Sequence, residues 1–259
     1  MYKYYLSIFV AAIVLLLFII VEDNFKSKKM ISVLIFILTL HSMFPTFIKS
    51  EKISDETIIF PAITALQYGK KRFFQGVQNA YPVESGSYTG EVGLEQLTEF
   101  EINTILIGHS ERRHALGESD ALIKQKYNFF VKAGFKIIYC IGELLATREE
   151  GEEAVMQYLS AQLEGIDTSY ENLIVAYEPV WAIGTGKTAT ISDIEHVHES
   201  LKERYPIKHL LYGGSVKVEN AKEILEANEV DGLLIGTTSW DVEKFKEILT
   251  ISKNITKGS

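Results

Sequence analysis

The chain has 259 residues, of which 47% are hydrophobic, and this length and composition suit one large domain with a substantial core. Its net charge is −8, so it lacks the excess of lysine and arginine that binds nucleic-acid phosphates. Its one cysteine, Cys140, excludes an internal disulfide, and six scattered histidines with a single thiol predict no metal site.

An uncharged run, Leu6–Val21, opens the chain and follows three tyrosines. With those tyrosines it approaches the ~20 residues that cross a bilayer, which indicates a membrane anchor. Its end, Leu17–Val21, also reads as a buried strand, and the remaining Leu6–Leu16 would then be too short to span a membrane. The strand interpretation predicts an apolar extension over residues 1–16 and a single domain over residues 17–259. No small-residue cleavage site follows the run, which argues against a signal peptide.

A second apolar run, Met30–Phe47, is predicted to be the helix that follows this first strand, and Pro45 would end it. The rival interpretation is a membrane hairpin made of both apolar runs. Periodicity alone does not separate the two.

From Thr57 onward, short apolar segments alternate with longer amphipathic ones, and the continuous apolar runs are typical of parallel strands covered on both faces. The predicted strands are Thr57–Phe60, Gly76–Gln78, Thr104–Ile107, Lys136–Cys140, Leu173–Ala176, His209–Leu211 and Gly232–Ile235. The predicted helices are Ser119–Ala133, Glu152–Leu163, Ile191–Arg204 and Asn220–Ala227. This order predicts an α/β fold, either an open doubly wound sheet or a closed (β/α)8 barrel. No G-x-G-x-x-G motif opens a helix, and the barrel's eighth strand would come from Leu17–Val21.

In such a barrel, reactive side chains follow the carboxyl ends of the strands. His109 follows Thr104–Ile107 after one glycine, and Ser110 is predicted to cap the helix that starts there. A helix amino terminus disfavours a nearby positive charge, so we expect a neutral imidazole that donates a hydrogen bond to a substrate carbonyl.

Glu178 follows Leu173–Ala176 and is flanked by apolar residues. Removal from water favours the protonated form of a carboxylate, which suits a general base that works near neutral pH. The stiff segment after Pro179 contains Gly184 and Gly186, whose backbones can approach a ligand closely, and it is predicted to close over the site as a lid.

The last two strands are followed by glycine-containing turns, Gly213-Gly214-Ser215 and Gly236-Thr237. Backbone N–H groups at such positions form an anion site. At the end of the predicted first strand, Asn24 and Lys26 would add an amide and a cation.

A base, a neutral donor, an anion cradle and a lid predict proton abstraction beside a carbonyl on a small phosphorylated substrate. The residues leave a sugar-phosphate isomerase and an aldolase open. A Schiff-base aldolase needs a lysine at a strand end, and Lys26 is its candidate, so the isomerase is favoured.

Several segments resemble the triosephosphate isomerase family: LIGHSERRHALGES (Leu106–Ser119), VAYEPVWAIGTGKTAT (Val175–Thr190), LYGGSV (Leu211–Val216) and GVQNAYP (Gly76–Pro82). The resemblance covers about residues 57–249, and Asn24-Phe25-Lys26 extends it upstream. It implies a (β/α)8 barrel without a cofactor that interconverts dihydroxyacetone phosphate and glyceraldehyde 3-phosphate in glycolysis and gluconeogenesis.

The resemblance also implies roles for individual residues. It makes His109 the electrophile and Glu178 the base. It implies substrate contacts from Asn24, Lys26, Gly184, Ser215, Gly236 and Thr237, and supporting roles for Glu111 and Tyr212, the latter holding the closed lid. Thr237 stands where many members of the family have a second glycine.

The family resemblance further implies a cytoplasmic homodimer, joined through the loop Ser87-Tyr88-Thr89-Gly90-Glu91. The alternative is a catalytically impaired barrel that is tethered to the membrane by its apolar start and acts as a scaffold.

Overall fold

Eight parallel strands form the centre of the molecule in a computed structural model, which describes residues 34–36, 57–69, 73–183 and 188–257. The strands are β1 (Leu34–Phe36), β2 (Ile58–Ile59), β3 (Phe74–Gln75), β4 (Thr104–Ile107), β5 (Lys136–Ile141), β6 (Leu173–Tyr177), β7 (Leu210–Tyr212) and β8 (Gly232–Ile235). Six of them pair in the order β1-β8-β7-β6-β5-β4, and β2 pairs with β3.

Two contacts close these sheets into a ring. Val77, just after β3, bridges to Ile105 of β4, and β1 lies against β2 as well as pairing with β8. All the pairings are parallel, so the carboxyl ends of all eight strands lie at one mouth of the ring. The predicted (β/α)8 barrel is confirmed.

Helices connect the described strands and cover the ring. They are α1 (Leu94–Glu99), α2 (Asp120–Lys132), α3 (Leu145–Glu149), α4 (Glu152–Leu163), α5 (Ile191–Arg204), α6 (Val218–Glu226) and α7 (Val242–Lys257). Side-chain caps fix two of their starts, because Ser119 accepts from the N–H of Leu122 and Thr190 accepts from the N–H of Asp193. Their apolar faces pack onto strands whose side chains are buried in β4, β6, β7 and β8, and together these residues form one core.

Most of the predicted elements agree with this structure. The bounds of β4, β8, α4 and α5 are those predicted, whereas β3 lies two residues before the predicted Gly76–Gln78. A helix was expected to start near Trp240, and α7 begins at Val242. Two helices, α1 and α3, were not predicted, because they are only six and five residues long, too short for a helical period to stand out.

The first strand corrects the sequence interpretation. A strand upstream of Thr57 was expected, but Leu34–Phe36 occupies the position beside β8 that was predicted for Leu17–Val21. The helix predicted over Met30–Phe47 is therefore wrong at these residues. A helix on the outside of a barrel needs a polar face, whereas a strand covered on both sides tolerates a continuous apolar run such as Val33–Ile37. Residues 1–16 and Leu17–Val21 lie outside the described residues.

Within the described ranges, no helix is both long and apolar enough to cross a membrane. The anchor and hairpin interpretations concern Leu6–Val21 and Met30–Phe47, of which the structure describes Leu34–Phe36 as a barrel strand.

Candidate active site

A cavity of about 550 Å³ opens at the mouth formed by the carboxyl ends of the strands. The ends of β4, β6, β7 and β8 supply most of its wall. Its lining includes His109, Glu111, Glu178, Gly213, Gly214, Ser215, Gly236 and Thr237. The structure therefore brings together most of the site residues predicted from separate strand ends.

The side chains of His109 and Glu178 contact each other in the wall of this cavity. The Nε2 atom of His109 lies 3.0 Å from Oε1 of Glu178, although the two residues are 69 positions apart (178 − 109) in the chain. Both side chains are buried, with relative exposures of 8% and 2%. The second carboxylate oxygen of Glu178 accepts a hydrogen bond of 3.2 Å from the backbone N–H of Ser110.

A tight turn aims the His109 ring into the cavity. Gly108, at the end of β4, has φ +74°, a conformation that favours glycine, and Arg113 donates from Nε to its carbonyl at 2.7 Å. The N–H of Glu111 donates to Nδ1 of His109 at 3.3 Å. A ring nitrogen that accepts carries no hydrogen, so this contact selects the neutral form with its proton on Nε2, which points toward Glu178.

The predicted cap at Ser110 is wrong. The Ser110 side chain caps nothing, and the turn that follows is a five-residue π-helix, Glu111–Ala115. The N–H groups at its start donate instead to Glu178 and to the His109 ring. They therefore serve the site directly.

Opposing influences act on the proton affinity of His109. Burial lowers the pKa of its imidazole, whereas the Glu178 carboxylate beside it raises that pKa, and Glu111 adds a smaller effect in the same direction. The net result is a pKa raised from the ordinary histidine value.

The two glycine-containing turns are joined to each other and to the base. A Cβ at Gly213 would come within 2.8 Å of the Glu178 side chain, so a larger residue would displace the carboxylate. The Thr238 hydroxyl donates to the carbonyl of Val216, which links the turn after β8 to the turn after β7.

Lys217, which was not among the predicted site residues, also lines the cavity. It lies two positions after the predicted turn Gly213-Gly214-Ser215, and a cation so close to a predicted anion site is the signal in the sequence. A cation there favours a negatively charged ligand.

A buried acid behind the base was missed as well. Glu143 is fully buried just after β5 and accepts hydrogen bonds from Trp181 Nε1 at 2.7 Å and from the Tyr177 hydroxyl at 3.1 Å. It thereby contacts one residue before Glu178 and one three positions after it. Its position two residues after β5 is the signal in the sequence, since reactive side chains follow the carboxyl ends of barrel strands.

Tyr212, predicted to hold the closed lid, ends β7. Its hydroxyl is buried, and a Cβ at Gly214 would come within 2.2 Å of it. Burial raises the pKa of Tyr212, and the neighbouring backbone of Ala189 opposes that effect in part. Ala189 comes shortly after the predicted lid glycines, and Gly184 itself lies outside the described residues.

Asn24 and Lys26 also lie outside the described residues, so their predicted substrate contacts stay predictions. In the part of the chain that the structure describes, no group of three or more histidine, cysteine or acidic side chains could hold a metal ion.

A second cavity of about 550 Å³ adjoins the first from the side of β3. It shares His109 and Glu111 with the candidate site and is also lined by Ile63, Gln78, Asn79, Arg112 and Leu116. The predicted interface loop lies next to it, since Gly90 and Glu91 form part of its wall. Every residue of Ser87–Glu91 is exposed, including the ring of Tyr88.

Comparison with known proteins gives one consistent result. The family model for triosephosphate isomerase matches residues 20–252. A triosephosphate isomerase of Sulfurimonas denitrificans is 52% identical over 212 residues, which cover 82% of this chain and 88% of the relative. Similar relatives are the triosephosphate isomerases of Sulfurovum sp. (53% over 200 residues, 77% of this chain and 87% of the relative) and Helicobacter pylori strain P12 (53% over 198 residues, 76% and 85%).

Proposed function

The chain belongs to the triosephosphate isomerase family and interconverts dihydroxyacetone phosphate and D-glyceraldehyde 3-phosphate, and we propose that Glu178 and His109 carry out the proton transfers. The observation that supports these roles is the 3.0 Å contact between the Glu178 carboxylate and Nε2 of His109 in a buried cavity. A catalytically impaired scaffold is not supported, because no comparison points to one.

In the proposed reaction, Glu178 removes a proton from the carbon next to the substrate carbonyl. The Nε2–H of His109 protonates the carbonyl oxygen as negative charge develops there, and the imidazole takes up the proton of the neighbouring hydroxyl in return. Glu178 then returns its proton to the carbon that carried this hydroxyl, whose oxygen becomes the new carbonyl. Because the imidazole and the carboxylate are adjacent, one small ligand can contact both groups.

The phosphate contacts form a second part of the proposal. We assign Ser215, Gly236 and Thr237 to the phosphate because they line the same cavity at the ends of β7 and β8, with Lys217 nearby. Gly184, Asn24 and Lys26 enter from the family resemblance alone. Glu111 supports His109 through its N–H. The role of Tyr212 in holding the closed lid enters from the family resemblance.

A kinetic comparison of variants tests these roles. Glu178→Gln removes the base, and turnover of glyceraldehyde 3-phosphate should fall about 10²–10⁴-fold, the usual contribution of general-base catalysis. The matched control is Glu199→Gln, an exposed acid on α5 that should keep full turnover. A Glu178→Gln protein with parental turnover would refute the assignment.

In the same assay, Lys26→Ala should nearly abolish turnover if Lys26 contacts the substrate.

We also propose that the protein acts as a homodimer. An exposed loop, Ser87–Glu91, lies beside a groove that is bordered by the exposed apolar residues Ile63 and Leu116. Across a two-fold axis each chain can offer its loop to the groove of the other. Because the groove reaches His109 and Glu111, a partner loop seated there would complete the wall of the site. The cytoplasmic location and the boundary at residue 17 stay predictions.

A further inference from the structure

A buried glutamine on α4 binds the backbone next to Glu178, the proposed base. Gln162 is 7% exposed, and its side-chain amide makes two hydrogen bonds to Gly142. The N–H of Gly142 donates to Oε1 of Gln162 at 2.8 Å, and Nε2 of Gln162 donates to the carbonyl of Gly142 at 3.1 Å. The Tyr139 hydroxyl donates to the backbone carbonyl of Gln162 at 2.8 Å, which ties the end of α4 to β5.

Gly142 in turn presses against Glu178. A Cβ at Gly142 would lie 1.8 Å from the carbonyl oxygen of Glu178, so only glycine fits between them. Backbone hydrogen bonds flank this contact: the N–H of Glu178 donates to the carbonyl of Ile141 at 2.7 Å, and the N–H of Val180 donates to the carbonyl of Glu143 at 3.0 Å. The backbone of residues 141–143 therefore packs directly against the backbone of residues 178–180.

The hydrogen bonds from Gln162 restrict the backbone conformation of Gly142. Glycine has more backbone freedom than any other residue, so the backbone at Gly142 has intrinsically variable dihedral angles. An amide that bonds both the N–H and the carbonyl of the same residue restricts both of its backbone dihedrals. Through Gln162, the helix α4 thereby fixes the backbone conformation at Gly142.

We propose that Gln162 is a positioning residue for Glu178, acting through the backbone of Gly142. This inference rests on the proposed role of Glu178 as the base. Proton transfer depends steeply on placement, since a displacement of about 1 Å can cost about 10²-fold in rate. Loss of the Gln162 contacts should therefore slow the chemical step while the phosphate pocket, built on β7 and β8, keeps its affinity.

A volume-conserving substitution with a matched control tests this. Gln162→Met fills nearly the same space without the amide. Gln75→Met is the control, because Gln75 is 6% exposed and makes the same pair of bonds, with the N–H and carbonyl of Gln67 at 2.9 and 3.2 Å. Gln75 is not among the residues that line the cavity at Glu178.

We expect kcat of Gln162→Met to fall at least tenfold, with the inhibition constant of inorganic phosphate unchanged within twofold. Gln75→Met should lose a comparable amount of thermal stability and keep kcat within twofold. A parental kcat in Gln162→Met, an equal loss of kcat in both variants, or a parallel loss of phosphate binding would overturn the proposal.

Gln162→Glu gives a second test that does not depend on the methionine variant folding. When ionised, its carboxylate accepts from Gly142 but repels the Gly142 carbonyl, whereas the protonated form can donate and restore both bonds. Relative to the parent at each pH, kcat should be lowest at alkaline pH and recover on acidification. A constant ratio across pH would contradict the proposal. If Glu178→Gln itself were fully active, the assigned base would be wrong; if only the Gln162 variants were fully active, only this inference would fail.

Discussion

The His109 ring has two different neighbours, and each acts on one of its nitrogens. A backbone N–H donates to Nδ1, which requires that atom to be unprotonated, while a carboxylate 3.0 Å from Nε2 attracts a proton there. The neutral ring with hydrogen on Nε2 satisfies both contacts. This is the form that can donate to a developing oxyanion.

The carboxylate also makes His109 easier to protonate. Burial is the largest single influence and lowers its pKa, but Glu178 and Glu111 together outweigh burial, so the net pKa is raised. In Glu178→Gln the main raising influence disappears and burial remains, so the pKa of His109 should drop below that in the parent. Titration of the imidazole ¹⁵N signals by NMR measures this directly.

Glu111→Gln is the matched comparison for this titration. Glu111 also raises the pKa of His109, but less than Glu178 does, so its removal should lower the pKa by a smaller amount. Equal pKa values in the parent and in Glu178→Gln would show that the two side chains do not interact in solution.

Residues that face the cavity were predictable, and residues that act from behind it were less so. His109 and Glu178 follow strands, and the closed ring forces such positions to one mouth. Gln162 gave no signal, because its role lies in a contact with the backbone of a residue 20 positions away. Nothing in the local sequence of a helical glutamine reveals such a partner.

At the scale of elements, the identity of the first strand has the largest consequence. Leu34–Phe36 pairs in register with Leu233–Ile235 of β8, so it fills the eighth place in the ring. Lys26 lies eight positions before the start of β1 (34 − 26). The family-like Asn24-Phe25-Lys26 segment therefore precedes this strand, although it was predicted to follow the first strand.

Proline substitution distinguishes the two candidate strands. Proline has no N–H and removes a ladder hydrogen bond, so Ile35→Pro within β1 should destabilise the barrel by about 2–3 kcal/mol. Ile19→Pro is the matched change in the alternative strand Leu17–Val21 and should cost much less. Urea denaturation of the full chain measures both. A larger loss in Ile19→Pro than in Ile35→Pro would return the first strand to Leu17–Val21.

Periodicity explains which elements the sequence predicted. The helices α4 and α5 have clear amphipathic patterns, and their predicted bounds match the structure. The run Met30–Phe47 is apolar throughout and therefore has no period. Only pairing with β8, a contact about 200 positions away, determines which part of that run becomes a strand.

At the scale of the whole molecule, assembly and acid stability depend on distant contacts. For assembly, Tyr88 lies at the centre of the exposed loop and is 46% exposed. Tyr88→Asp should place a charge in the proposed interface, shift the protein toward monomers in light scattering, and lower turnover with the loss of the partner loop. Tyr68→Asp, at a more exposed tyrosine outside the proposed interface loop, should leave mass and turnover unchanged. A Tyr88→Asp protein that remains dimeric would place the interface elsewhere.

Acid stability depends on two buried histidines that do not line the active-site cavity. His198 is fully buried, and its Nδ1 lies 3.0 Å from the carbonyl of Glu229, an arrangement that fits the neutral ring with its proton on Nδ1. Burial lowers the pKa of His198 to about 3 and that of His209 to about 4, with nearby lysines acting in the same direction.

The sign of the resulting pH dependence follows from proton uptake. In the unfolded chain each histidine titrates near its ordinary value, about 6.5, so below that pH the unfolded state binds protons that the folded state refuses. The stability that these residues contribute is therefore present above pH ~6.5 and is lost as the pH falls toward about 4 for His209 and 3 for His198. At pH 5 each histidine should cost about 2 kcal/mol relative to pH 8.

Urea denaturation from pH 8 to pH 5, at one fixed protein concentration, measures this loss. His198→Gln and His209→Gln cannot titrate, so each should reduce the loss of unfolding free energy between those pH values by about 2 kcal/mol, and the double variant by about twice that. The comparison uses the slope against pH and not the absolute stability, because either substitution also perturbs packing. If the double variant lost stability as steeply as the parent, these histidines would be protonated in the folded barrel, and acid unfolding would have to be assigned to its carboxylates.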